Sequence, residues 1–348
     1  MGRQPGTRVS IVDVAREAGV SVGTASNVLN KPERVAKNTR RRVEQVIERL
    51  GYVPSGPARA LRSGQIRTVG AVLLDIRNPF YTQVTRGIED RLEEDEFMLF
   101  VGSSDGKMER ETRYLNVLES RGVAGMILSP AGDQSKLLRD IAGRGVPIVL
   151  LEASYPDVPA SSVLVDNVAG GELAARHLAE IGCEHLLMFN GPNSIPQCHD
   201  RAAGALRGWV GAGRSEATFS QVLLTSMDIA GGDDTAAPLF DDLPAKTGLF
   251  AVNDLVAIGV QRALRKRGGY NPAAFPLVGY DDIDLTSVLA VPMTTIRQPT
   301  YDIGRRAAEL LLHRHAHDPI ERVTLVPELV VRESTTLNAN ADRPKNPV

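Results

Sequence analysis

From Thr68 onward the chain repeats one unit, a short continuous apolar run followed by an amphipathic stretch of helical period. The runs are TVGAVLL, FMLFVG, GMILS, PIVLL, VLVD, HLLMFNG, QVLLT, GLFAV and PLVGY, and the stretches between them include residues 82–94, 109–120, 169–181, 200–210 and 255–267. A strand that is apolar on both faces needs cover on both faces, so such runs bounded by helices predict a parallel sheet between helical layers. There are more units than one small domain uses. The pattern predicts α/β architecture in two doubly wound parallel-sheet lobes, with ligands at the carboxyl ends of the strands.

The first 67 residues follow a different period and carry a different charge. They hold 13 basic and 5 acidic residues, whereas the whole chain of 348 has 40 basic and 42 acidic. A near-neutral total therefore hides a basic module joined to an acidic one, and the basic part points to a polyanion partner. Three short helices are predicted in it. Ser10 and Asp13 form the capping pattern of the first, and Gly19 stops it. Ser21 caps the second, from Val22 to about Leu29. The third runs from Lys37 to Leu50, with Val43, Val46, Ile47 and Leu50 on one face, Arg40, Arg41 and Arg42 on the other, and Gly51 after it. Only Gly19-Val20 separates the first two, the spacing of a helix-turn-helix.

Composition removes other classes. With 43% hydrophobic and 24% charged residues the chain is globular, and no apolar run approaches the roughly 18 residues of a membrane helix. MGRQPGTRVS has no apolar signal core, and Cys183 and Cys198 make no disulfide framework, so a reducing cytoplasm is expected.

The residues Asp13-Val14-Ala15, Ala18-Gly19-Val20-Ser21, Thr24, Ser26 and Val28-Leu29-Asn30 resemble the headpiece of the LacI/GalR family of transcription regulators. The resemblance continues through Thr39-Arg40, Leu50-Gly51-Tyr52-Val53-Pro54 and Ala58-Arg59-Ala60-Leu61 to about Thr335. It implies a helix-turn-helix domain over 1–50, a hinge over 51–67, and a periplasmic-binding-protein-like effector and dimerisation domain of two lobes over 68–336. A polar tail over 337–348 reads as disordered.

By that resemblance Val22, Gly23 and Asn27 read base edges. Val22 suits a thymine methyl, and Asn27 can pair bidentately with adenine. Ser21, Thr24, Thr39 and Arg40 suit phosphate contacts, which set register without reading sequence. Ala60 and Leu61 fall where the family's hinge helix wedges a minor-groove step. The chain departs from the family in three places. Ala25-Ser26-Asn27 replaces the commoner Val-Ser-Arg, Ala36 replaces a capping serine, and Gly56-Pro57 is an unusual hinge filling.

In the ligand domain the matching landmarks are Asn78-Pro79-Phe80-Tyr81, Val165-Asp166-Asn167, Asn190-Gly191-Pro192, Arg201, Asn253-Asp254 and Gly279-Tyr280-Asp281-Asp282. Many of them directly follow an apolar run, where polar side chains from two lobes would line a cleft suited to a neutral polyol. The resemblance places Asp75, Phe80, Gln197, Arg201, Asn253 and Asp281 in the effector site, with Asn78 and Asp166 less firmly so. Asp254 and Asp282 read as caps, Trp209 and His185 as packing, and Arg201 with Asp281 has an inter-lobe ion pair as its alternative. His313, His315 and His317 read as a solvated helix end, not a metal site.

Two other classes compete. An enzyme on this fold would need a constellation that is missing, since Gly143 and Gly145 precede a strand and Ile148 replaces the third small residue of a dinucleotide fingerprint. A transported solute-binding protein has no use for the basic module. The expectation is a cytoplasmic regulator, commonly a repressor in this family. It would act without catalysis, metal or cofactor as a homodimer on a palindromic double-stranded DNA operator, controlled by a sugar or related metabolite, with no membrane association.

Overall fold

The chain divides at Arg67/Thr68 into two compact units, and the computed structural model describes residues 9–52, 67–313 and 319–336. The connector beyond Tyr52, with Ala60 and Leu61, lies outside the described residues, as do the tail, His315 and His317.

In the first unit α1 (Ile11–Ala18) starts on a reciprocal box. The Ser10 hydroxyl accepts from the Asp13 amide at 3.3 Å, and the Asp13 carboxylate accepts from the Ser10 amide at 3.0 Å. Gly19, at φ 60°, ends it. Helix α2 (Val22–Asn30) follows, with Ser21 Oγ accepting from the Thr24 amide at 3.0 Å. Helix α3 (Lys37–Leu50) ends at Gly51, and Ala36 supplies no side-chain cap. Val14, Ala15, Ala18, Ala25, Val28, Val43 and Val46 are buried together. That core is small, so the caps carry much of the local stability at about 1 kcal/mol each.

The second unit holds two lobes. In the first, β1 (Thr68–Leu73), β2 (Met98–Ser103), β3 (Gly125–Leu128), β4 (Ile148–Leu151), β5 (Ser161–Val165) and the late strand β11 (Arg322–Leu325) form a sheet of order β11-β5-β4-β3-β1-β2. All of its pairings are parallel. Its cover is α4 (Pro79–Glu93), α5 (Met108–Ser120), α6 (Ser135–Gly143) and α12 (Thr300–Leu312). In the second lobe β6 (His185–Asn190), β7 (Phe219–Leu223), β8 (Thr247–Ala251), β9 (Leu277–Asp281), β10 (Thr294–Arg297) and β12 (Glu328–Val330) run β12-β10-β9-β8-β6-β7, with only β12 antiparallel among the described strands. Its helices are α7 (Asn167–Glu180), α8 (Pro196–Gly211), α9 (Ile229–Ala236), α10 (Asp254–Lys266) and the short α11 (Leu285–Val288).

In the interior strands the runs are continuous because both faces are packed. On β1, Val69, Ala71 and Leu73 join one core and Val72 the opposite one. On β6, Leu187 and Phe189 face one way while Leu186 and Met188 face the other. Each lobe also brings two helices together through glycine. A side chain at Gly304 would overlap the Val84 carbonyl between α12 and α4, and one at Gly204 would overlap the Val168 carbonyl between α8 and α7. The chain passes between the lobes after β5, after β10 and after β11. These three crossings put Asp166 and Gln298 at the seam.

Candidate ligand cavity and exposed helix

A cavity of about 400 Å³ opens between the lobes, at the carboxyl ends of the strands. Strand ends supply Asp75 after β1, Glu152 after β4, Asn253 after β8, Asp281 on β9 and Gln298 after β10. The first turn of α4 adds Phe80 and Tyr81, and the first two turns of α8 add Gln197 and Arg201. Helix α8 starts at Pro196, earlier than the periodicity suggests, which sets Gln197 and Arg201 one turn apart on a single face.

Arg201 organises the floor. Its Nε donates to Asn167 Oδ1 at 2.8 Å and a terminal nitrogen donates to the Val252 carbonyl at 2.6 Å. The guanidinium lies 3.6 Å over the Tyr280 ring and 3.9 Å from the Asp281 carboxylate. Arg201 and Asp281 both belong to the second lobe, on α8 and β9, so the alternative of an inter-lobe ion pair is corrected: the pair lies within one lobe. The lobes are bridged instead by amides. Asn78 Nδ2 donates to Asp281 Oδ2 at 3.5 Å, and Asn167 Nδ2 donates to Glu152 Oε2 at 3.3 Å. Gln298, at a crossing, donates to Asp281 Oδ1 at 2.8 Å.

This floor is dry. Arg201, Asp281 and Glu152 are 6%, 4% and 6% exposed. Burial pushes the Asp281 carboxyl up to about 6, with Arg201 opposing the rise. Burial pushes Glu152 up to about 7, again against Arg201. Both residues sit at positive φ, 117° for Asp281 and 58° for Glu152, a conformation that costs a non-glycine residue about 1–3 kcal/mol and collects at functional sites.

The other sequence-derived positions fall as follows. Asp75 is held by Arg77, whose Nε and terminal nitrogen donate to it at 3.0 and 2.8 Å. Phe80 packs edge-on against Tyr81, with ring centroids 4.9 Å apart. Asn253 caps α10 through the Val256 amide at 2.8 Å and donates to the Met227 carbonyl at 3.1 Å. Asn78 and Asp166 cap α4 and α7. Asp254 is buried and accepts from the Ile283 amide and the Thr295 hydroxyl, while Asp282 pairs with Arg297 and Arg332. Trp209 is core, its Nε1 donating to Thr218 at 3.0 Å. His313 closes α12, exposed, 2.9 Å from the Glu309 carbonyl. Among the described residues no cluster of three or more His, Cys, Asp or Glu is placed to hold a metal, and no helix is long and apolar enough to cross a membrane.

Glu152, Asn167 and Gln298 are floor residues that sequence reasoning missed. Glu152 obeys the rule that found Asp75 and Asn253, since it directly follows the run PIVLL. Gln298 follows Thr294–Arg297, a strand too short and polar to register as a run.

In the first unit, Val22, Gly23 and Asn27 are exposed on α2, opposite buried Ala25 and Val28. Ser21 Oγ and Thr24 Oγ1 are 2.8 Å apart at the start of that helix. Thr39 is half-buried in the first turn of α3, and exposed Arg40 pairs with Glu44 at 2.7 Å.

Residues 66–332 match the family of periplasmic binding proteins and the sugar binding domain of the LacI family, and residues 10–55 match the bacterial regulatory proteins of the lacI family. The chain belongs to the LacI family. It is a transcriptional regulator with a DNA-binding headpiece and a ligand-binding domain. The ribose operon repressor of Bacillus subtilis is 34% identical over 94% of this chain and 98% of that protein. A LacI family transcriptional regulator from Enterococcus faecium, solved with bound ribose, is 30% identical at a TM-score of 0.71, covering 77% of this chain and 98% of that one. The lac repressor dimer bound to operator and an anti-inducer is 25% identical at a TM-score of 0.77, covering 94% and 99%.

Proposed function

We propose that this LacI-family regulator represses transcription as a cytoplasmic homodimer on a palindromic operator, and that a sugar or related metabolite in the inter-lobe cavity sets its operator affinity. The observation that carries the reading is the polar floor joining Asn78 and Glu152 of one lobe to Asn167, Arg201 and Asp281 of the other. A ligand seated there touches both lobes, so it has different contacts in their different arrangements, which is the requirement for control by a small molecule. The B. subtilis ribose operon repressor and the ribose-bound E. faecium regulator support the repressor and sugar assignments.

Asp75, Phe80, Gln197, Arg201, Asn253 and Asp281 are the proposed effector residues. On DNA, Val22, Gly23 and Asn27 meet base edges and Ser21, Thr24, Thr39 and Arg40 meet phosphate. Ala60 and Leu61 take the hinge role on the family resemblance alone. The domain limits carried forward are 1–50, 51–67 and 68–336. A two-fold operator calls for a second copy of the chain, and the edge strand β2 offers it Met98 and Phe100, 67% and 58% exposed. The protein acts by binding alone, without catalysis, as its regulator relatives suggest.

The test is operator binding by fluorescence anisotropy during titration with D-ribose, cellobiose and other sugars. One sugar should shift operator affinity by roughly 5–150-fold, the range of a typical coupling, and Asp281→Asn should remove the shift. A panel in which no sugar alters either operator affinity or the melting temperature overturns sugar control.

A further inference from the structure

Asp254 carries a buried carboxyl that its own helix does not use. It is the first residue of α10, where the cap is already Asn253, whose Oδ1 accepts from the Val256 amide at 2.8 Å. The Asp254 side chain turns instead toward β9 and β10. Its Oδ2 accepts from the Ile283 amide at 2.9 Å and its Oδ1 from the Thr295 hydroxyl at 2.7 Å. That hydroxyl accepts in turn from the Asp282 amide at 3.4 Å. A side chain on Gly279 would overlap Asp254 Oδ1, so β9 is bare where the carboxyl lies against it.

The position is a costly one for an acid. Asp254 is fully buried. Asp281 has Arg201 beside it and Asp282 has Arg297 and Arg332, whereas Asp254 has no ion pair among the described residues. Burial lifts its carboxyl well above the ordinary range, and Asp281 and Asp282 add to the rise. What the carboxyl holds is the stretch 281–283. There Asp281 at φ 117° and Asp282 at φ 57° stand in succession, a strained conformation that persists only where the surroundings fix it. Asp281 is the end of the stretch that lines the cavity, 2.8 Å from Gln298 and 3.9 Å from Arg201.

Resting on the sugar-effector reading, we infer that Asp254, through the Ile283 amide and Thr295, is the positioning residue that holds the strained Asp281–Asp282 turn and so aims Asp281 into the effector cavity. Asp254 is not among the residues lining that cavity, so it acts on a ligand only through the turn. Its two oxygens fix the backbone from behind, while Gln298 and Arg201 meet the Asp281 side chain in front. Without the rear contacts the turn relaxes toward ordinary φ values and carries the Asp281 carboxylate out of place.

The test compares the full-length parent with Asp254→Ala, Thr295→Val and Thr295→Ser by calorimetric titration with D-ribose and cellobiose and by amide hydrogen exchange. Asp254→Ala and Thr295→Val should each weaken sugar binding by at least about tenfold, since misplacing a group by about 1 Å can cost about 100-fold. Thr295→Ser keeps the hydroxyl that both donates and accepts, and its affinity should stay within about threefold of the parent. Without sugar, the Ile283 amide in Asp254→Ala and the Asp282 amide in Thr295→Val should exchange about tenfold faster, with the amides of β6 and β8 unchanged, as in a local opening. A merely structural role would speed the β6 and β8 amides as well, and would make Thr295→Ser behave like Thr295→Val. Either result overturns the inference, as does unchanged sugar affinity in a folded Asp254→Ala. Should Asp254→Ala fail to fold, the contrast between valine and serine at position 295 decides. A parent protein that binds neither sugar counts against the sugar reading, and exchange at Asp282 and Ile283 then decides by itself whether Asp254 and Thr295 hold the turn.

Discussion

In the headpiece the residues proposed to work are outside the core: Val22, Gly23 and Asn27 are exposed, and the buried residues Ala25 and Val28 point the other way. In the ligand domain the floor residues are buried, with Asp75 and Gln197 half-buried at its edge. Arg201, Asp281 and Glu152 are each less than a tenth exposed, and they hold one another's charges. The difference follows from the ligands. A duplex is too large to engulf and is met by a surface, whereas a small sugar is bound by surrounding it and removing water. Operator preference can therefore change by surface substitution with little effect on stability. A change of effector preference at the floor also changes stability.

Arg201→Met should give the largest effect. It leaves Asp281 and Glu152 buried without their cation, and breaking a buried ion pair from one side costs about 3–5 kcal/mol. Urea unfolding should show that loss in the ligand domain, together with loss of sugar binding. Lost binding at unchanged stability would break the comparison, because Arg201 would then behave like a surface residue.

A second effect depends on pH. Glu152 holds its proton more tightly in the folded chain than in the unfolded one. Its contribution to stability is therefore complete below the ordinary carboxylate value near 4.5 and is lost as pH rises through about 7. Arg201 and the Asn167 amide act against this rise, Asp281 reinforces it, and Tyr81 and Tyr280 face the carboxyl as neutral phenols whose own values burial has raised. The loss is on the order of 3 kcal/mol, because holding a proton ten times more tightly is worth about 1.4 kcal/mol. Unfolding midpoints measured from pH 5 to pH 8 should fall for the parent protein and fall less for Glu152→Gln. Identical slopes would mean that Glu152 is ionised throughout and well solvated.

How far the sequence could be read follows the same division. Helix caps and turn glycines are local signals, so Ser10, Gly19, Ser21 and Gly51 mark the headpiece helices from sequence alone, and the structure repeats those limits. The nine apolar runs correspond to β1 through β9, of which the interior strands are buried on both faces while the edge strands β2 and β7 are largely exposed. Strands β10, β11 and β12 were not legible from hydropathy, since they are three or four residues long and carry Thr, Arg and Glu. They exist because longer neighbours pair with them. Of the floor, Asp75 and Asp281 could be placed by their position at strand ends, and Arg201 by resemblance. The seam residues Asn167 and Gln298 acquire their polar role only when the chain crosses between lobes, a long-range event that no local pattern records.

The smallest expected effect, a gain in the headpiece, sharpens the contrast. Ala36 stands at the N-cap of α3 with φ −56° and ψ 136°, and no side chain caps the helix there. That extended backbone is the conformation from which a serine hydroxyl accepts an amide hydrogen bond two or three residues on. Ala36→Ser should therefore stabilise α3 by about 1 kcal/mol, read as slower hydrogen exchange at the amides of its first turn. Specific operator affinity should change less than about threefold, because the added hydroxyl answers a backbone group and leaves the exposed face of α2 untouched. A gain in stability accompanied by a large change in operator preference would show that the headpiece, like the cavity, couples its function to its core.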